Sequence, residues 1–99
     1  MTTYVFKSVS LFTYNNVKGG AEMLNAIIVG NVIKQYREKK NLSQEVLSGL
    51  ADIGRTHLSA IERGERKPTL ETFYKISQSL EISSSELMKA IEFELEKQG

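Results

Sequence analysis

The chain has 99 residues, 40% of them hydrophobic and 25% charged, with a formal net charge of +1, a globular balance that fits one small domain and not two lobes around a catalytic cleft. Its longest uninterrupted apolar run, Ala26 to Val29, is far too short to cross a bilayer. No cysteine and a single histidine exclude disulfides, thiolate zinc sites, cysteine nucleophiles and multi-histidine metal centres, so no cofactor is expected.

Residues 2–14 alternate two sets of side chains and are rich in Val, Phe, Tyr and Thr, which reads as a strand-like arm. Asn15-Asn16 and Gly19-Gly20 break it. The segment lacks the continuous apolar stretch of a secretory signal, so the chain is expected to be intracellular and cytoplasmic. From Asn25 the period changes: Ile28, Val29, Val32, Ile33 and Tyr36 lie on one face of an amphipathic helix, with Lys34, Arg37, Glu38 and Lys39 opposite. Asn41 then suits a left-handed stop.

Ser43 caps a second helix, Gln44 to Ala51, whose inward residue is Leu47 and which Asp52 ends. A third runs from Arg55 to about Arg63, with Gly54 at its cap, Leu58 and Ile61 inward, and Gly64 closing it. Pro68-Thr69 announces a fourth helix carrying Leu70, Phe73, Tyr74, Ile76, Ser77 and Leu80. Ser83 and Glu86 form the signature of a capping box before a fifth, with Leu87, Met88, Ala90, Ile91 and Leu95 as its apolar set. Charge follows the same order. Residues 34–67 hold eight cations against five anions, and 68–99 hold three against six, so a basic middle precedes an acidic end.

Two short helices joined by a tight turn, the second beginning Arg-Thr-His, form the arrangement that sets one helix into the DNA major groove. Here the sequence resembles the Cro and phage-repressor-like helix-turn-helix family, over roughly Val29 to Met88. The resemblance is carried by LSQEVL at Leu42–Leu47, RTHLSAIERG at Arg55–Gly64 and KPTLETFYKISQSLEIS at Lys67–Ser83. Within that family, the Arg-Thr start and the ending KAIEFELEKQG are similar to controller proteins of restriction-modification systems. The resemblance implies an all-α, five-helix lambda-repressor-like domain over 23–99. Residues 1–22 stand as an accessory arm, or as leader read as protein, since Lys18-Gly19-Gly20 is compatible with a ribosome-binding sequence before Met23. The chain departs from the family at Asp52, where Gly is usual, at Ser48, where Ala is usual, and at Gly54, where Ser or Asp is usual. Val46 and Leu50 are apolar where relatives expose the position.

Arg55 and Thr56 start the third helix, where Arg grips guanine edges and Thr bonds a base or packs on a thymine methyl. By resemblance, Ala60 faces the bases one turn on, and Ser59 makes a polar contact or folds against its own helix. His57 has no catalytic partner at useful spacing; it reads as a phosphate or base-edge contact, or as plainly solvated. Gln44 anchors the phosphate backbone by resemblance, at a helix end whose amides suit an anion, and Ser43 is first a cap and second a phosphate contact. Arg63, Arg66 and Lys67 around Gly64 either neutralise flanking phosphates or form a solvated loop. Glu62 carries the wrong charge for DNA and reads as structural, paired with a cation. Leu87, Met88, Ile91 and Leu95 either complete the core or, the favoured reading, meet a partner subunit.

The leading function is a sequence-specific transcription regulator, binding double-stranded DNA as a homodimer on a palindromic operator, with recognition helices about 34–36 Å apart. RNA polymerase is a further expected partner, and a membrane is not. The alternative is an antitoxin whose main partner is a toxin. An enzyme is the weakest reading, since no nucleophile and base, or metal set, is in view.

Overall fold

The computed structural model describes residues 23–98. It contains five helices in the expected order: α1 (Ala26–Lys39), α2 (Gln44–Ala51), α3 (Arg55–Glu62), α4 (Leu70–Ser79) and α5 (Ser84–Gln98). No strand occurs among the described residues, and the strand-like arm expected over residues 2–14 lies outside them.

Four of the five helix starts carry a side-chain cap. The Asn25 side chain accepts from the amides of Ile27 and Ile28 at 2.8 and 3.2 Å. Ser43, Thr69 and Ser83 each accept the amide three residues on, at 3.0, 3.1 and 3.0 Å, satisfying donors that an open helix end leaves bare. Gly54 starts α3 without a side-chain cap. Asn41, Asp52 and Glu81 take positive φ after α1, α2 and α4. Asp52 takes φ 56° and ψ 48°, a left-handed conformation that its short polar side chain tolerates without glycine. The Ile53 amide then reaches back to the Ser48 carbonyl at 3.0 Å and closes the turn. Ser48 itself is buried, and its hydroxyl is satisfied by donating to the Glu45 carbonyl at 3.1 Å.

The core gathers one face of every helix: Val29, Val32 and Ile33 from α1, Leu47 and Ala51 from α2, Leu58 and Ile61 from α3, Phe73 and Ile76 from α4, and Leu87 and Ile91 from α5. Burying each larger aliphatic side chain is worth about 1.5–3 kcal/mol. Helix α1 packs on α3 and α5, α2 on α3 and α4, and α4 on α5. Helix α3 is therefore held from two sides.

Its crossing with α1 depends on two glycines. A Cβ on Gly30 would lie 2.0 Å from the Ile61 carbonyl oxygen, so the α1 backbone sits directly on that of α3. Gly64 takes φ +79°, and a Cβ there would lie 2.7–2.8 Å from Ile27.

The expectation that Leu87 and Ile91 meet a partner subunit is corrected by the packing. Both are 0% exposed within the single chain, because α5 turns that face onto α1 and α4. Met88 and Leu95 are half-buried against the same core.

Candidate nucleic-acid interface

Helices α2 and α3, with Asp52, Ile53 and Gly54 between them, bring the sequence-chosen polar residues to one region. Arg55 and Thr56, at the uncapped start of α3, are exposed. No described side-chain hydrogen bond engages the Thr56 hydroxyl or the Arg55 guanidinium. His57 is half-buried beside them. Among the described residues no cluster of three metal-ligating side chains exists, so His57 has no metal partners there.

One turn further, Ser59 is half-buried and its hydroxyl accepts from Arg63. Ala60 departs from expectation: it is buried at 9% exposure. At the end of α3 the chain turns back, with the Glu65 amide donating to the Ala60 carbonyl at 3.0 Å. Arg63, Arg66 and Lys67 are all exposed in that loop.

Behind the exposed groups lies a buried polar node. Arg37 of α1 donates from Nε to Glu62 Oε2 at 2.7 Å and from Nη2 to Oε1 at 3.0 Å. Its third nitrogen, Nη1, donates to the Leu42 carbonyl at 2.7 Å. The Gln44 amide nitrogen also donates to Glu62 Oε1, at 2.9 Å. Glu62 thus ties α1 and the start of α2 to the end of α3, and Arg37 adds the α1–α2 loop through Leu42. Hydrogen bonding to Glu62, opposed by burial, holds the Arg37 guanidinium above its ordinary value. Two-pronged geometry and further bonds to both groups offset the cost of burying these charges. Glu62 was legible as structural; its partner, 25 positions away, was not. Gln44 keeps one amide hydrogen beyond the bond to Glu62, aimed from the first residue of α2. Ser43, exposed, is occupied as the α2 cap.

On the outer side of α4, Leu70 and Tyr74 are 83% and 57% exposed one turn apart. Together with Phe73 and Met88 they line an open, almost wholly apolar hollow between α4 and α5. Sequence reasoning passed over this pair. The available signal was that the apolar residues of α4 spread over a wider arc than one core face requires.

A helix-turn-helix family model matches residues 33–87. Control protein C.MunI from Mycoplasma sp is 46% identical over 66 residues, covering 66% of this chain and 89% of that protein. Control protein C.BamHI from Bacillus amyloliquefaciens is 38% identical over 63 residues, covering 63% and 78%. The restriction-modification controller protein C.Esp1396I, solved as a tetramer in complex with its natural 35 base-pair operator, superposes with a TM-score of 0.68 at 31% identity, over 76% of this chain and 97% of that one.

Proposed function

The chain belongs to the helix-turn-helix family, and from that premise we propose that it is a sequence-specific DNA-binding transcription regulator controlling a restriction-modification operon. The observation that carries the reading is the exposed Arg55–Thr56 start of α3, flanked by the basic loop at Arg63, Arg66 and Lys67, in a chain 46% identical to a control protein. Arg55 and Thr56 read base edges and His57 lines the groove. Gln44, oriented by Glu62, with Ser43, Ser59 and the loop cations, holds phosphates and fixes the register of α3. Relatives that are controllers and an operator-bound structure favour DNA over the antitoxin reading, and no catalytic role is assigned.

The regulator acts as a homodimer on a palindromic operator, in the cytoplasm where the DNA lies. The dimer face is the exposed Leu70 and Tyr74 with half-buried Met88, in place of the core residues Leu87 and Ile91. RNA polymerase is the further partner that an activating regulator needs.

Selection of sites from a random duplex pool tests the reading, with an enriched palindrome as the expected result and no enrichment as its refutation. On the selected site, Arg55→Ala relaxes preference at one base pair per half-site, at a cost of about 1–3 kcal/mol. Lys67→Ala weakens all sequences alike and lowers the salt slope by about one. Equal loss of specific and non-specific binding in Arg55→Ala removes its base-reading role.

A further inference from the structure

We propose that Glu65 occupies, in the free chain, the anion site that Arg63 and Ser59 offer to a DNA phosphate, and so sets how tightly the chain grips the phosphate backbone. The inference rests on the DNA-binding reading above and adds to it a residue of the opposite sign. Arg63 follows the last residue of α3, and Gly64 at φ +79° reverses the chain behind it. The Glu65 amide then bonds the Ala60 carbonyl, which brings the Glu65 side chain back beside Arg63. Because Ile27 fills the space a Cβ on Gly64 would need, this turn is fixed by packing.

Both carboxylate oxygens of Glu65 are engaged. Arg63 Nε donates to Oε2 at 2.8 Å and Nη2 to Oε1 at 3.0 Å, while Nη1 donates to Ser59 Oγ. This parallel pair of bonds is the geometry in which a guanidinium takes a phosphate. Three of its five N–H groups are already used. A phosphate that seeks the two-pronged edge meets Glu65 in its place. The hydrogen bonds between the two groups raise the Arg63 guanidinium and lower the Glu65 carboxyl from their ordinary values, so the carboxylate is charged at neutral pH.

The side chains are 53% and 58% exposed, and a pair so open to water contributes little to the fold. It yields to a phosphate but subtracts from the affinity of every phosphate contact Arg63 makes.

The test measures binding of a non-specific duplex across a salt series for the full chain and for Glu65→Gln, Arg63→Gln and the double variant. Glu65→Gln is expected to tighten binding by about two- to five-fold and to steepen the salt dependence by roughly one phosphate contact. In the Arg63→Gln background the gain disappears. An equal gain in both backgrounds shows simple repulsion between Glu65 and DNA, and overturns the proposal, as does the absence of any gain.

A readout without DNA separates the ion pair from DNA binding. The Arg63 Nε–H resonance is expected to exchange with water more slowly in the unaltered chain than in Glu65→Gln; equal exchange overturns the pairing itself. If the unaltered chain binds no duplex while its Nε–H stays protected, the DNA-binding reading fails and takes the proposal with it. If the unaltered chain binds DNA and Glu65→Gln binds equally, the proposal fails alone.

Discussion

Replacing Gly30 by Ala sets two effects of opposite sign against each other at the α1–α3 crossing. Ala is a better helix former than Gly by about 0.8–1.0 kcal/mol in a helix interior. Its Cβ, however, would stand 2.0 Å from the Ile61 carbonyl oxygen and 2.9 Å from that of Glu62. Reaching an ordinary contact near 3.4 Å requires the backbones to separate by about 1.4 Å along the shorter vector. The obstructing atoms are main chain, so no rotamer change relieves them. The same movement draws Glu62 from Arg37, whose bonds span only 2.7 and 3.0 Å.

Overpacking costs about 1–3 kcal/mol; with main-chain atoms as the obstacle the upper end applies, so after the propensity gain of about 1 kcal/mol the net loss is about 2 kcal/mol, with the strained ion pair acting in the same direction. For a domain of this size that lowers Tm by on the order of 10–15 °C. Gly49→Ala is the matched control, because nothing lies within 4 Å of its added methyl, and it raises stability by about 0.5–1 kcal/mol. Thermal melts by circular dichroism at one fixed protein concentration compare the three proteins. A Gly30→Ala chain that melts at or above the parent refutes the close approach. DNA binding well below Tm adds a second reading, since a displaced α3 misplaces Arg55 and Thr56.

Arg37→Ala leaves Glu62 buried without its cation and is expected to destabilise the fold by about 3–5 kcal/mol; urea unfolding checks this, and a loss under 1 kcal/mol would show that Gln44 and water satisfy Glu62 by themselves. Ile91→Glu, at a fully buried position, is expected to unfold the chain, whereas Tyr74→Glu, at an exposed one, yields a folded monomer with much weaker operator binding. Sedimentation with far-ultraviolet circular dichroism distinguishes these results, and a folded monomer from Ile91→Glu would return the subunit interface to α5.

The sequence by itself determined the helices and their ends. Apolar spacing picked out the inward faces at Ile33, Leu47, Leu58 and Ile76, and Ser43, Thr69, Ser83 and Asp52 marked boundaries, because capping and turn chemistry act within three or four residues. The Arg55–Thr56 start and the basic loop were legible because both lie at the ends of α3, which cap and turn residues mark locally: Gly54 before it and Gly64 after it. Tertiary structure alone decided which cation met Glu62, which glycine allowed two backbones to touch, and which apolar residues were left outside. Gly30 reads in sequence only as a weak point within a helix, and becomes necessary once α3 lies against it. The stripe through Leu87 and Ile91 has the same period whether its cover is α1 or a second subunit, while Leu70 and Tyr74 look like more of the core. Periodicity tells a helix which face is apolar. What covers that face depends on residues distant in the chain, brought together only when the five helices close on a single core.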